Sequence, residues 1–357
     1  MKKNILLVIS SIKDGGTQKN VFDLFNYWKK LGHNVNIVTY DKKVKRVNKK
    51  IRKNIINLGL LKESKSLYKS TLHNLKRIIA LRKIIKANPK STILSFLSST
   101  NIITIFAKFG LQNKLIACER NDIKHQDIGK IWHILRIIFY RFANKIITNN
   151  KKNLNLLKKI VNKNKIYFIP NHILIKKFPE KKAKKIILSV GRLHPQKGFP
   201  ELIKAYSLSN APNKNWKLII LGDGPEKNNL KKLVKNLELE NKVFFKGFIN
   251  PYNWYQKSSI FILTSRFEGT PNALLEAMSM KLAVIITNYS GGMYYVKNKI
   301  SGLVVPGANL PALAKAIDKI VNSKNLRSKL AIGAQKYIKK LADHKKIFKQ
   351  WDRSIFN

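Results

Sequence analysis

Residues 185–208 read KIILSVGRLHPQKGFPELIKAYSL and contain a complete strand, turn and helix pattern. The continuous apolar run up to Val190 predicts a buried strand. Apolar residues at three- and four-residue spacing from Pro200 to Leu208 predict a helix. Gly191 follows the strand directly and opens the turn. Strand, turn and helix in this order form one unit of a parallel sheet that is covered by helices.

The same alternation extends over almost the whole chain, with amphipathic segments between short apolar runs. The predicted strands are residues 4–9, 34–39, 92–96, 115–118, 145–148, 165–169, 185–190, 217–221, 242–246, 260–263, 282–286 and 302–305. The polar, lysine-rich stretch from Asn171 to Lys184 follows Pro170, contains Pro179 and separates two series of strands. We therefore expect an α/β fold with parallel sheets, divided by a linker at this stretch.

Length and composition agree with two domains. The chain has 357 residues, of which 44% are hydrophobic, enough to fill two cores and to exclude wholesale disorder. The one cysteine, Cys118, lies in an apolar run, so we expect a buried strand residue and no internal disulfide. No stretch reaches the roughly 18 uncharged apolar residues of a membrane-spanning helix, which favours a cytoplasmic location.

The charge is strongly positive. Lys and Arg number 71 against 18 Asp and Glu, for a formal net charge of +53, and residues 42–90 hold a single acid, Glu63. Such a charge favours anionic partners, either a phosphate backbone or lipid headgroups. A solvated surface enriched in lysine explains the same composition, so both alternatives stay open.

Glycines follow the first strand, in Asp14-Gly15-Gly16-Thr17. They let the backbone approach a ligand closely, and the helix start behind them offers N–H groups to an anion. A tight turn without a ligand is the alternative.

In the stretch quoted first, Arg192 and Lys197 are separated by a loop stiffened by proline, and they can converge on a diphosphate. Isolated surface residues are the alternative there.

The strongest motif is Glu268-Gly269-Thr270-Pro271-Asn272-Ala273-Leu274-Leu275-Glu276-Ala277-Met278. Thr270 is predicted as the N-cap and Pro271 as the first helical residue. Glu268 precedes the cap and Glu276 lies beyond the first turn, so neither is ordinary compensation of the helix dipole. Two carboxylates beside a helix start suit a ligand with both phosphates and hydroxyl groups, such as a nucleotide sugar.

Together these motifs resemble those of the GT4 family of retaining glycosyltransferases, which have the GT-B fold. The resemblance covers nearly the whole chain, because it includes Gly222-Asp223-Gly224-Pro225, Gly247-Phe248 and Gly302-Leu303-Val304-Val305. It implies two Rossmann-like, doubly wound domains that face each other across a cleft. Residues 1–172 would bind the acceptor and residues 173–340 the nucleotide sugar, and a helix at residues 341–357 would pack back on the first domain.

The resemblance also implies roles for single residues. Arg192 and Lys197 would neutralise the leaving nucleotide, and Glu268 would bind hydroxyls of the transferred sugar. The predicted substrate-binding residues are Gly15 and Gly16 at the diphosphate, Asn272, Ala273 and Leu274 at the distal phosphate, Glu276 at the ribose, Phe248 at a uridine base, and Gly222, Gly247, Thr270 and Pro271. Because no Asp-x-Asp pair occurs in the sequence, we expect a metal-independent enzyme with no cofactor besides its UDP-sugar donor.

One segment departs from the family pattern. Many relatives carry a histidine after the fourth strand of the first domain, whereas this chain has Glu119-Arg120 there, with Ser95-Phe96-Leu97 upstream. Some lipid-linked oligosaccharide and surface-polysaccharide transferases resemble the chain at these positions. We therefore predict Glu119 and Arg120 as catalytic residues, with a structural ion pair as the alternative and His125 as a second candidate.

Family members of this type act at the cytoplasmic membrane on polyprenyl-diphosphate-linked sugars. The basic residues 42–90 and the segment from Ile131 to Phe142 would suit a first domain that rests on anionic lipid. A buried helix is the alternative for that segment. The sequence thus predicts a retaining transferase that moves a sugar from a UDP-sugar to a lipid-linked glycan or surface-polysaccharide precursor. An N-acetylhexosamine is the first candidate for that sugar. A sugar-nucleotide epimerase and a basic nucleic-acid-binding protein are the alternatives.

Overall fold

The computed structural model describes residues 2–13, 15–42, 49–61, 67–174 and 183–356. It divides into two compact units, one formed by Met1–Asn171 with Lys345–Asn357 and the other by His172–His344. The division falls one residue before the expected first boundary and four residues after the second. Asp14, most of the predicted linker and part of the basic stretch at 42–90 lie outside the described residues.

In the described part of the first unit, seven parallel strands form one sheet in the order β3-β2-β1-β4-β5-β6-β7. The strands are β1 Asn4–Ile9, β2 Asn34–Thr39, β3 Ile55–Asn57, β4 Ser91–Phe96, β5 Lys114–Glu119, β6 Lys145–Thr148 and β7 Ile166–Phe168. The helices are α1 Gly16–Lys30, α2 Lys49–Arg52, α3 Leu67–Lys86, α4 Ser98–Lys108, α5 Lys130–Phe139 and α6 Lys151–Leu157. β3 was not predicted, because its two isoleucines are only half-buried and lie among basic and polar residues, which do not show a buried-strand pattern.

The described part of the second unit contains a six-stranded parallel sheet in the order β10-β9-β8-β11-β12-β13. The strands are β8 Ile186–Val190, β9 Lys217–Leu221, β10 Val243–Phe245, β11 Ile260–Leu263, β12 Ala283–Thr287 and β13 Leu303–Val305. The helices are α7 Phe199–Leu208, α8 Lys227–Asn236, α9 Tyr252–Lys257, α10 Asn272–Ser279, α11 Ser290–Met293, α12 Leu310–Asn322 and α13 Lys324–Leu341.

Both sheets have the strand order of a doubly wound Rossmann fold, so the predicted fold class is confirmed. The order reverses between β1 and β4 in the first sheet, where Ile5 pairs with Thr92, and between β8 and β11 in the second, where Ile187 pairs with Ile260. At such a reversal the neighbouring helices diverge to opposite faces, which leaves a crevice at the carboxyl ends of the strands. Each sheet therefore has one topologically favoured place for a ligand.

The last helix, α14 (His344–Phe356), packs on the first unit through polar and aromatic contacts. Asp352 accepts hydrogen bonds from Tyr27 Oη at 2.6 Å and Trp28 Nε1 at 2.8 Å. The ring of Phe348 stacks on Tyr27 with 4.3 Å between centroids. Because these partners are on α1, the helix is tied to the first unit although it follows the second in sequence.

Cys118 is buried in β5, as expected, and burial raises the pKa of its thiol to about 12. None of the described helices combines the length and the apolar character needed to cross a membrane.

Candidate functional site

Two loops meet at the strand-order reversal of the second sheet, residues 191–198 after β8 and residues 264–271 after β11. Gln196 Nε2 donates to the carbonyl of Phe267 at 2.7 Å, and Gln196 in turn accepts from the backbone N–H of Arg266 at 2.8 Å. Thr264 Oγ1 donates to the carbonyl of Gly198 at 2.7 Å. These bonds fix two segments about 70 residues apart in sequence as one site.

An ion pair lies at the centre of this site. Lys197 Nζ is 2.8 Å from Glu268 Oε1, and the side chains are only 18% and 10% exposed. The same carboxylate oxygen accepts from Ser265 Oγ at 2.5 Å. Partial burial strengthens such a pair relative to one at the surface. Burial, with the nearby charge of Glu268, also raises the pKa of Tyr289 well above its ordinary value, so Tyr289 is a neutral neighbour of the pair.

Gly222 lets the end of β9 pack directly against the loop after β8. Its φ is 143°, and a Cβ there would lie 1.9 Å from the carbonyl oxygen of Gly191. Its N–H donates to the carbonyl of Gly247 at 2.8 Å. Gly222 therefore packs directly against the 191–198 loop, and Gly247 holds the backbone of Gly222 in place. Their contact with a substrate stays a prediction.

The predicted start of the helix after β11 was wrong by one residue. Pro271 is the N-cap of α10, Asn272 is the first helical residue, and the N-cap makes no side-chain hydrogen bond. Thr270 Oγ1 instead lies 3.4 Å from Tyr295 Oη. Proline has no N–H and a fixed φ, which is compatible with a helix boundary.

One of the three N–H groups predicted to bind a distal phosphate is already used. The N–H of Leu274 donates to the carbonyl of Pro271 at 3.0 Å, so Leu274 closes the first turn of α10. The N–H groups of Asn272 and Ala273 precede it at the helix start, where backbone donors point along the axis. The phosphate role of all three N–H groups stays a prediction, and Leu274 would have to share its N–H with the Pro271 carbonyl.

The other predicted residues of the second unit differ in exposure. Arg192 is exposed and has no ion-pair partner among the described residues. Phe248 is 63% exposed, which leaves its ring available for stacking. Glu276 is buried, and its Oε2 accepts from Tyr255 Oη at 3.1 Å. Burial, together with the Glu276 charge, raises the pKa of Tyr255 well above its usual range.

In the first unit, the loop after β1 carries Gly15 and Gly16, where α1 begins. A Cβ on Gly15 would lie 2.3 Å from Gln18 Oε1, the end of a flexible side chain, and the φ of 172° is extended backbone, so the turn does not itself require glycine. Asp41, which follows β2, is buried and accepts from Ser11 Oγ at 2.8 Å and from the N–H of Ile12 at 2.7 Å. Sequence reasoning missed Asp41, although an acid directly after a strand in a chain with 18 acids was a usable signal.

Glu119 lies in a buried network. Its two carboxylate oxygens accept from Ser98 Oγ, each at 2.9 Å, and Oε2 also accepts from Tyr140 Oη at 2.7 Å. Burial raises the pKa of Glu119, although these hydrogen bonds and the charge of Arg136 oppose the rise. The side chain is fully buried, so a catalytic role by direct contact would need a substrate group to reach this interior position. That role stays a prediction.

Arg120 and His125 lie near the same edge of the sheet. The guanidinium of Arg120 lies over the ring of Trp351, 5.4 Å from its centroid, and Arg120 is buried. His125 is exposed, and its Nδ1 is 3.2 Å from Oδ1 of the buried Asp122. Asp122 can therefore orient the imidazole, an arrangement that would suit His125 for proton transfer. Both residues keep their predicted status as candidates.

Within the described ranges, no three His, Cys, Asp or Glu side chains lie close enough together to hold a metal ion.

Comparisons with known proteins agree with this architecture. Residues 171–337 match the family described as "Glycosyl transferases group 1". The Campylobacter jejuni "GalNAc-alpha-(1->4)-GalNAc-alpha-(1->3)-diNAcBac-PP-undecaprenol alpha-1,4-N-acetyl-D-galactosaminyltransferase" is 28% identical over 340 residues, which cover 94% of this chain and 93% of that protein. The Campylobacter jejuni "N-acetylgalactosamine-N,N'-diacetylbacillosaminyl-diphospho-undecaprenol 4-alpha-N-acetylgalactosaminyltransferase" is 31% identical over 248 residues, 65% of this chain and 67% of that one.

A solved structure supports the fold over the full length. A TarM variant from S. aureus, in complex with Fondaparinux, alpha-GlcNAc-glycerol and UDP, superposes with a TM-score of 0.82 at 15% identity. The superposition covers 99% of this chain and 100% of that one. The two Rossmann-like sheets are therefore those of a GT-B fold, and the chain belongs to the group 1 glycosyl transferases.

Proposed function

We propose that this glycosyltransferase moves a sugar from a UDP-sugar to a membrane lipid-linked glycan or surface-polysaccharide precursor, with retention of the anomeric configuration. The two Campylobacter jejuni relatives are named for transfer of N-acetylgalactosamine to glycans on diphospho-undecaprenol or PP-undecaprenol, and the TarM structure contains UDP. An N-acetylhexosamine is accordingly the first sugar to test.

The observation that carries the proposal is the Lys197–Glu268 pair beside the start of α10. It combines an ammonium for phosphate with a carboxylate for sugar hydroxyls, at the reversal of strand order where doubly wound sheets bind ligands. Exposed Arg192 adds a second positive group from the same loop. A nucleoside diphosphate sugar presents phosphates and hydroxyls side by side, which matches this arrangement of charges.

The remaining roles follow from position along the second unit. We assign the N–H groups of Asn272 and Ala273 to the distal phosphate, because the start of a helix favours negative charge. Exposed Phe248 is assigned to stacking on the base. Glu276, whose position is supported by Tyr255, is assigned to the ribose hydroxyls.

In the transfer step, the bond between the anomeric carbon and the β-phosphate oxygen breaks, and its electron pair leaves with UDP. The acceptor hydroxyl oxygen bonds to the anomeric carbon on the same face, and its proton passes to the departing phosphate oxygen. Positive charge builds on the sugar while negative charge builds on the diphosphate. Lys197 and Arg192 stabilise that negative charge, and a single well-placed donor of this kind lowers the barrier by about 3 kcal/mol.

Metal independence and the absence of a cofactor are part of the proposal. Two cationic side chains and a helix start supply positive charge to the diphosphate, which is the task a divalent cation would otherwise perform. We therefore expect activity to persist in excess chelator. The UDP-sugar is the donor substrate, and no further cofactor is required.

The first unit is proposed to bind the acceptor at the inner face of the cytoplasmic membrane. Its described helices α3, α4 and α5 contain no Asp or Glu, so their net charge is positive and suits anionic lipid. We assign the charge of the chain to this membrane contact rather than to nucleic acid.

The test is UDP release from a panel of UDP-sugars, with and without a lipid extract from the source organism. Wild type should release UDP with one preferred sugar, only when the lipid is present, and equally well in excess EDTA. Glu268→Ala should lose this release, whereas Glu240→Ala, which removes an exposed acid of the same unit, should retain it.

The outcomes separate the parts of the proposal. Loss of release in EDTA would overturn metal independence alone. Release that needs no lipid would overturn the acceptor class, and no release with any UDP-sugar would overturn the donor assignment.

A further inference from the structure

Helix α5 is apolar on its outward face as well as on the face that packs against the core of the first unit. Ile131 and Ile134 are 59% and 54% exposed, whereas Arg136 is 1% exposed. The arginine is retained inside by polar neighbours, since its Nη2 lies 2.9 Å from His133 Nδ1 and its charge acts on buried Glu119. In water the apolar face of a helix packs inward. An outward apolar face therefore indicates contact with an apolar partner.

A cavity of about 620 Å³ lies beside this face, lined by residues of α3, α4 and α5. Ile78, Ile103 and Phe106 line one part of it, and Trp132 and Leu135 line the part formed by α5. The lining is mainly apolar, so a hydrocarbon chain suits the cavity better than a sugar or a nucleotide.

Basic charge predominates around the cavity, although Asp127 lies beside it and accepts a hydrogen bond from the N–H of the lining residue Gly129 at 2.8 Å. The sequence contains no acid between Glu63 and Glu119, so α3 and α4 carry only basic charges. Helix α5 also contains no acid. Exposed Lys76 is on α3, and exposed Lys130 itself lines the cavity. The complementary ligand is a hydrocarbon chain that ends in an anionic group.

We propose that this cavity binds the hydrocarbon chain of the acceptor lipid, a polyprenyl diphosphate, with Lys130 at its diphosphate. The inference rests on the proposed function, because it assigns a binding site to the lipid part of the proposed acceptor. It goes beyond adsorption to a membrane, since one chain leaves the bilayer and occupies a defined cavity.

The test is a binding titration without any sugar donor, using undecaprenyl diphosphate in detergent and inorganic diphosphate as probes. Wild type should bind the prenyl form at least about tenfold more tightly than inorganic diphosphate, because apolar area is buried. Ser70→Trp places an indole in the cavity without changing charge, and should reduce this preference to about twofold or less.

Two variants serve as controls. Ser328→Trp makes the same change at an exposed position of α13 and should keep the full preference. Thermal unfolding of each variant checks that it is folded, and Ser70→Leu provides a smaller filling of the cavity if the tryptophan variant fails to fold.

The proposal would be overturned if wild type showed no preference for the prenyl form. It would also be overturned if the variants with a filled cavity, Ser70→Trp and Ser70→Leu, bound the prenyl form like wild type. If the filled variants lost binding to phosphatidylglycerol vesicles while prenyl and inorganic diphosphate bound equally, the cavity would belong to bilayer acyl chains instead. Because no donor is present, failure of the UDP-sugar assay with preserved prenyl binding would overturn the proposed function and leave this site standing.

Discussion

The two sheets share one strand order, yet the chemistry at their carboxyl edges is opposite. In the second unit, charged groups such as Arg192 and the Lys197–Glu268 pair lie at or near the surface. In the first unit, Asp41, Glu119 and Arg136 are buried, and apolar side chains of α5 face outward.

This difference teaches that topology decides where a ligand binds and side chains decide which kind. The reversal of strand order places loops 191–198 and 264–271 together in the second sheet, as it does the segments after β1 and β4 in the first. The carboxyl edge of the second sheet is suited to phosphates and hydroxyls. The first unit combines a rigid polar interior with an apolar, basic exterior, which suits an amphiphile.

The largest effect is expected from removing a positive charge at the carboxyl edge of the second sheet. Lys197→Ala should lower kcat/KM by about 10²- to 10³-fold, because it removes a partly buried donor to the leaving diphosphate and leaves Glu268 without its ion pair. Steady-state UDP release measures this. Lys204→Ala, at an exposed position of α7, is the matched control and should behave like wild type. Equal activity of both variants would remove Lys197 from the site.

A second prediction tests whether the charged edge depends on backbone packing. Gly222→Ala should lower the free energy of unfolding by about 1–3 kcal/mol or more, since a Cβ would lie 1.9 Å from the Gly191 carbonyl oxygen and φ is 143°. Gly247→Ala has a φ of 70° but no atom within 4 Å of the added Cβ, so it should cost only about 1 kcal/mol. Denaturant titration compares them. Equal losses would mean that the clash is relieved by a small shift.

The apolar exterior of the first unit can be tested against an equally exposed isoleucine elsewhere. Ile134 and Ile332 are 54% and 55% exposed. Ile134→Asp should weaken binding to phosphatidylglycerol vesicles by about tenfold, because it replaces lipid contact with a charge. Ile332→Asp on α13 should change vesicle binding little. Co-sedimentation measures both, and similar effects of the two substitutions would show that net charge alone drives adsorption.

The smallest effect concerns the polar interior. Burial raises the pKa of Glu119 in the folded chain, so folding favours its protonated form. Its contribution to stability is therefore fully present below the pKa of an unfolded glutamate, about 4.3, and is lost as pH rises through the higher folded value. Glu119→Gln removes this titration. Relative to wild type, the variant should gain stability across that pH interval in denaturant titrations, and a constant difference would contradict the assignment.

Most of the sheet architecture could be predicted from local patterns. Apolar runs located the strands, including β8 and β11, because parallel strands are buried on both faces and read as continuous hydrophobic stretches. The three-residue β3 escaped this method. The N-cap of α10 was misplaced because Thr270 and Pro271 both fit a helix start, and only the folded backbone distinguishes them.

The sequence by itself predicted parallel sheets covered by helices, a division into two parts and the residue types at the ends of the strands, whereas the doubly wound order was implied by the family resemblance. The patterns behind these predictions are periodicity and spacing, which are local. Only the tertiary structure decided that Lys197 pairs with Glu268, that Glu119 and Arg136 lie inside, and that α5 turns its isoleucines outward. Ion pairing and burial depend on which distant segments pack together, and no local pattern carries that information.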